Sequence, residues 1–165
     1  IDLNGPVLAD TVYDAGKLVA KDVTITLPAI NLLTADFKAM GTLTLPIIGQ
    51  IEAMEATVNK VGTDMGLRSM ASLDSRTLEF RWVQDVKKAD GSTKTVGCKA
   101  FLRVVTKTIP GLSVDPGSQS ENELGYAVSR YQLFVDGTEY WLIDQLNQIL
   151  RVGGKDYYKQ IRSLL

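Results

Sequence analysis

Residues 77 to 108 carry the pattern that most constrains the fold. Leu78, Phe80, Trp82 and Val86 fall at alternate positions, opposed by Glu79, Arg81 and Asp85. After Asp90-Gly91 the alternation resumes, with Val96, Cys98, Ala100, Leu102 and Val104 against Lys99, Arg103 and Lys107. A repeat of two places successive side chains on opposite faces of a β-strand, so one face of each arm meets a core and the other meets water. Both apolar faces occupy even positions, so residues paired across the hairpin must have numbers with an even sum. A two-residue Asp90-Gly91 loop sets apolar against charged; a three-residue loop, Asp90-Gly91-Ser92, with a bulge restores the match. That register predicts Glu79 opposite Arg103 and Phe80 opposite Leu102. The ion pair is worth at most about 1 kcal/mol on an exposed face, so it supplies register more than stability.

The same period recurs along the chain. Thr11-Val12-Tyr13 and Lys17-Leu18-Val19 flank Asp14-Ala15-Gly16 as a hairpin, Val23 to Leu27 stops at Pro28, and Thr42 to Leu45 precedes a strand from Ile51 to Val61. In that strand Met54, Ala56 and Val58 oppose Glu55, Thr57 and Asn59. Asp136-Gly137 joins Tyr126–Val135 to a strand from Thr138 to Ile143. Asp64 caps a short helix through Leu67, Met70 and Leu73, weakened by Gly66, and Asp156 caps a last turn or two with Tyr158, Ile161 and Leu165 on one stripe. Leu142 to Leu150 fits a helix or a strand. Between Pro110 and Glu123 lies a polar loop of a length that usually has a job.

The chain has 165 residues, 45% hydrophobic and 22% charged, which is ordinary globular usage and predicts a single domain over 1–165. Lys plus Arg is 18 against 19 for Asp plus Glu, so a basic stripe for holding nucleic acid is not expected. One cysteine and no histidine remove intramolecular disulfides, CxxC metal sites and the commonest acid–base and nucleophile pairs. Neither a membrane span nor a signal peptide is legible. Gly62 with Gly66, and Gly111 with Gly117, lack the context of a phosphate cradle, and on a strand Glu52 and Glu55 point to opposite faces rather than forming a dyad. No catalytic residue, metal or cofactor is expected. Lys87, Lys88 and Lys94 make a basic hairpin tip, either a solvated one of the kind that discourages edge aggregation or a docking point on an acidic neighbour in an assembly.

Trp82, Phe101, Tyr131, Phe134 and Trp141 suit a base-stacking platform in principle, but Trp82 and Phe134 sit in apolar strand faces and read as core. Phe101 and Tyr131 lie in mixed faces and read as interface anchors. Phe101 and Val105 back onto Leu102 and Val104; Tyr131, Leu133 and Val135 back onto Val128 and Phe134. A lone sheet covers one face, so a second half-apolar face wants another subunit. The residues therefore point to an all-β, self-associating domain.

The order of segments resembles the major tail tube protein family of contractile-tailed phages, shared with R-type bacteriocins and contractile injection particles. An early hairpin leads into Asp22-Val23-Thr24-Ile25-Thr26-Leu27-Pro28. Ile51 to Val58, a short helix and the long hairpin follow. Then come Tyr131-Gln132-Leu133-Phe134-Val135-Asp136-Gly137, Ile143-Asp144, Asn147 and Val152-Gly153-Gly154-Lys155-Asp156. The resemblance implies a mainly β fold: an antiparallel β-sandwich or partial barrel with a flanking short helix, whose long hairpins contribute to an inter-subunit β-barrel. It implies homohexameric rings stacked inside a sheath, with terminator and baseplate proteins as further partners and DNA passing without specific binding. It places the protein in a virion tail, assembled in the host cytoplasm, and settles Leu142 to Leu150 as strand. The lumen needs a polar, neutral to acidic wall; Glu55, Thr57 and Asn59 are the first candidates for it, Glu79 and Arg81 the second. Phe101, Tyr131 and Leu133, with Asp115 and Glu121 at the polar loop, are the candidates for subunit and ring contacts. The alternatives are the tube of a genome-free bacteriocin or injection particle and, from another class, a monomeric ligand-binding β-barrel.

Overall fold

The computed structural model describes residues 3–38 and 40–165. Alternating segments become β1 (Leu3–Asp14), β2 (Lys17–Lys21), β3 (Thr24–Thr26), β4 (Leu32–Lys38), β5 (Thr42–Ile51) and β6 (Met54–Val61). Helix α1 (Met65–Met70) separates these from β7 (Arg76–Lys87), β8 (Thr93–Thr108), β9 (Glu121–Val135), β10 (Thr138–Asp144), β11 (Ile149–Val152), β12 (Lys155–Asp156) and helix α2 (Lys159–Ser163). The main sheet runs β12-β11-β10-β9-β8-β7-β1-β2, with β6 beside the first half of β9 and β3 beside β6. It bends far enough that Val12, Val58, Phe80, Tyr126, Ile143 and Leu150, from both of its ends, share one core. Its outermost strands do not meet, so the barrel is partial. β4 and β5 stand apart as a two-stranded sheet.

The turns follow their chemistry. Ala15-Gly16 and Asp136-Gly137 are two-residue loops with both φ angles positive, the twist that suits a tight hairpin. Asp14 thus belongs to β1, opposite Lys17. The long β7–β8 hairpin keeps the predicted parity but is offset by two residues along its length: Phe80 faces Ala100, Leu78 faces Leu102, and Glu79 faces Phe101 instead of Arg103. Its three-residue loop is displaced by one residue to Ala89, Asp90 and Gly91, since the Lys88 N–H donates to the Ser92 carbonyl, while the Asp90 carboxylate accepts from the Ser92 N–H and hydroxyl.

Several expectations are corrected. Ile51 to Val61 is two strands, since Ile51 ends β5 and β6 starts at Met54. Leu142 to Leu150 is strand, turn and strand, the turn held by Asp144, whose carboxylate accepts from the Leu146 and Asn147 N–H groups. Asp64 does cap α1 by accepting from the Leu67 N–H, but Leu73 lies beyond the helix and is exposed. Gly66 is a packing requirement: a Cβ there would sit 1.9 Å from the Val19 carbonyl oxygen. Asp156 accepts from the Tyr158 N–H, yet Ile161 and Leu165 face outward.

Helix α1 is pinned to the core by its last carbonyls. The Tyr126 hydroxyl, buried among apolar side chains, donates to the Met70 carbonyl at 2.8 Å. The Arg76 guanidinium donates to the carbonyls of Met70, Ser72 and Asp74, and its Nε lies 3.4 Å from the Asp14 carboxylate. Removing this group takes a charged donor from these carbonyls, two of which keep the Tyr126 and Thr106 hydroxyls, and leaves the Asp14 carboxylate without its ion partner. Arg76→Ala is expected to cost about 2–4 kcal/mol. A lower urea midpoint at unchanged slope checks it, and Arg76→Lys, which lacks the planar fork, should recover only part of the loss.

Candidate functional site

The outward face of β6, β9, β8 and β7 is one continuous surface. Glu55 sits beside Ala127, Asn59 beside Glu123, Glu79 beside Phe101 and Arg81 beside Lys99. Glu55, Thr57, Asn59, Glu79 and Arg81 are thereby brought onto the same side, away from the core. Lys107 pairs with Glu55, and Arg81 bonds Glu79 at 2.6 Å while stacking 4.4 Å from the centre of the Tyr13 ring. Lys99 and Arg103 lie between the carboxylates on exposed positions of β8. The face therefore mixes signs residue by residue and is not acidic. Interleaved charges cancel over a short distance, so the surface projects little field.

Phe101 lies on this same face, half-buried against Phe134 in an edge-on contact at 5.9 Å. Phe134, expected in the core, is thus an outer-face residue. Glu121 opens β9 at the rim of the face, and Asp115 is exposed in the loop before it. Tyr131 and Leu133, expected at an interface, belong to the subunit's own core, at 2% and 6% exposure. The cause is a β-bulge. Arg103 pairs with Arg130 but Val104 pairs with Val128, so Ser129 is an extra residue that switches the buried positions of β9 from even to odd numbers. The apparent second apolar face of β9 is largely this switch.

A second surface has no counterpart in the expectations. The β4–β5 arm pairs Ala35 with Leu45 and Phe37 with Leu43, which puts an apolar face opposite a polar one of Thr34, Asp36, Lys38, Thr42 and Thr44. Such a one-sided strand pair announces burial. In the subunit the apolar face is open: Phe37 is 53% exposed, Leu43 49% and Leu45 43%. The signal was present in Leu33-Ala35-Phe37 and Leu43-Leu45, but Met40-Gly41, Pro46 and Gly49 break it into pieces too short to stand out. The arm's root, in contrast, is braced. The Glu52 N–H donates to the Asn31 carbonyl, Gln145 donates to the Ile51 carbonyl, and the Tyr158 ring lies where a Cβ on Gly49, at φ +92°, would be 2.1 Å from it.

Among the described residues no cluster of three or more His, Cys, Asp or Glu side chains is placed to hold a metal, and no helix is long and apolar enough to cross a membrane. The ionisable groups act in structure. The Arg151 guanidinium, 2.7 Å from Glu139, holds that carboxyl below its usual range, helped by Gln132. The Leu67 N–H, then Lys60, lowers Asp64, and Arg162 lowers Asp156. A carboxyl lowered in the fold contributes stability that is full above its unfolded pKa and is lost as pH falls through the folded one. Asp10 runs the other way, raised by burial. The lowered groups outnumber it, so the urea midpoint should be flat near neutrality and decline once pH drops below about 4.5, with Glu139→Gln removing part of the slope.

A family described as phage tail tube protein FII matches residues 9–165. Two solved chains share the fold. One, from the sheath–tube complex of the extracellular contractile injection system PVC in its extended state, is 12% identical with a TM-score of 0.54, covering 79% of this chain and 90% of that one. The other, from the sheath/tube terminator of the same kind of system, is 13% identical with a TM-score of 0.53, covering 78% and 95%. A search of curated proteins gives no match.

Proposed function

Since the chain belongs to the phage tail tube protein FII family, we propose that it is the structural subunit whose copies ring and stack into the inner tube of a contractile tail. The work of such a subunit is mechanical, and its place is the tail of the particle. Six copies form each ring, and the rings stack inside a sheath, with terminator and baseplate proteins at the ends. The observation that carries this reading is the β4–β5 arm, whose apolar face its own subunit leaves uncovered. A soluble chain gains by burying such a face against another copy.

The outward face of β6, β9, β8 and β7 is our candidate for the lumen wall, with Glu55, Thr57, Asn59, Glu79 and Arg81 on it. DNA slides through a conduit that neither attracts nor strongly repels it, and charges of both signs set side by side suit that task. Phe101 and Glu121 lie on this face too, so their contacts would be with ring neighbours along it, and Asp115 in the 109–120 loop is a candidate for contact between rings. Tyr131 and Leu133, being internal, take no part.

A second reading has support from the solved relatives, which come from an extracellular contractile injection system. The tube would then serve as a genome-free puncturing rod or conduit. Both readings predict the same assembly. Purified protein at high concentration should show rings or tubes with a central hole by negative-stain microscopy. A single sedimenting species at the monomer mass, with no annular particles, contradicts both and favours a monomeric binding domain.

A further inference from the structure

The wall strands are staggered, and the stagger leaves two open edges. β8 meets β9 only over residues 98–108, so residues 93–96 have β7 on one side and no strand on the other. β9 runs past β8 at the opposite end, where residues 121–124 have β6 on one side and no strand on the other. The chain leaves the sheet at Pro110 and returns beside the end of β6, the Gly62 N–H donating to the Ser120 carbonyl. Among the described residues no backbone bond from the 109–120 loop closes the gap, and a hollow of about 500 Å³ opens there, edged by Thr108, Pro110, Gly111, Glu121 and Glu123. We propose that residues 93–96 of one subunit pair as a strand with residues 121–124 of the next copy along the strand direction. The inference rests on the tube reading and adds which edges join one ring to the next.

Three observations join these edges. First, direction agrees. A copy shifted along the strands lays its 93–96 edge in line with the end of the first copy's β8, on the side of β9 that β8 has just left. The added strand runs antiparallel to β9, as β8 does within the subunit. Second, the faces agree. Val96 is buried while Thr93 and Thr95 are exposed; Asn122 and Leu124 are buried while Glu121 and Glu123 are exposed. Pairs whose numbers have an even sum, Thr93 with Glu123 and Thr95 with Glu121, keep both faces continuous. Third, charge agrees. Lys87, the partner of Thr93, and Lys88 are exposed at the tip, and Lys94 is bonded to Asp136. Of the acids nearby, Asp90 is engaged with Ser92 and Asp85 with the Thr95 hydroxyl. The receiving edge carries Glu121 and Glu123, with Asp115 exposed in the loop before it.

An open edge is ordinarily a route to indiscriminate pairing. Here the tip lysines repel a second tip and favour an acidic edge, so they select the partner as well as guard the strand. Tip and receiving edge lie at different places on one chain, which makes the contact head-to-tail; it propagates from copy to copy and does not stop at a dimer. It also fixes the repeat. The next copy stands about 16 residues further along the line of β8, roughly 53 Å at about 3.3 Å per residue, and a barrel strand tilt of about 35–45° turns this into an axial rise of roughly 37–43 Å.

The test uses the full chain with Cys98→Ala, carrying Thr95→Cys with Glu121→Cys in one variant and Thr95→Cys with Glu123→Cys, the neighbouring even register, in another. Assembled protein is oxidised mildly, scored for tubes by microscopy and run on a non-reducing gel. One of the two variants is expected to give a ladder of covalent oligomers, and each cysteine alone only monomer. Separately, Lys87→Glu with Lys88→Glu is expected to leave rings but shorten tubes several-fold, and Glu121→Lys with Glu123→Lys added to the same chain to restore their length. Tubes without a ladder in either variant, a dimer from Thr95→Cys alone, tubes indifferent to the charge reversal, or unmodified tubes with an axial rise well outside the range above overturn the strand pairing while leaving the tube reading intact. Failure of the unmodified chain to form rings or tubes overturns that reading and the pairing with it.

Discussion

One bulged residue allows a single strand to organise the whole sheet. The first half of β9 pairs with β6 and the second half with β10, while β8 lies along its other side from Gly125 onward. A strand that bends between two partners would ordinarily rotate its side chains out of the core. The extra residue at Ser129 absorbs that rotation, so Leu124, Tyr126 and Val128 before it and Tyr131 and Leu133 after it all stay inside. The Ser129 carbonyl is not wasted, since the Gln145 N–H donates to it from the β10–β11 turn. Because β9 keeps one face inward along its length, its other face, and those of β8, β7 and β6, form one uninterrupted outer wall.

Legibility in the sequence followed the regularity of the strands. β7 and β8 alternate over most of their length, so their faces were plain; the registry between them was not, because the place of the loop at Asp90 is decided by hydrogen bonds of Ser92 that leave no trace in the pattern of apolar residues. Glu55, Thr57, Asn59, Glu79 and Arg81 come out on one face for the same reason: strict alternation on well-paired strands fixes which way a side chain points. The failures occur where regularity is broken. Counting by twos across Ser129 assigns Tyr131 and Leu133 to the outer face and Phe134 to the core, each the reverse of its position. The arm escaped because two glycines and a proline divide it, though its paired apolar residues were in view.

The two surfaces differ in their physics. The outer wall sets Lys99, Arg103 and Lys107 among Glu55, Glu79 and Glu123, a mosaic that stays comfortable in water and holds nothing tightly. The arm is the opposite case: an apolar face exposed on a braced stalk, costly to leave in water and directional once it finds a partner. A chain with both is suited to a hollow assembly, in which one surface remains wetted while the other is consumed by contact.

The central claim is that assembly buries what the subunit leaves open, above all the arm. Amide hydrogen exchange followed by mass spectrometry, comparing free subunits with the assembled form, tests it most directly. The account predicts that peptides spanning 32–51 become strongly protected on assembly, while peptides from the core of β8 and β9, already slow, change little. Assembled particles in which 32–51 exchanges as fast as in the free chain would contradict it.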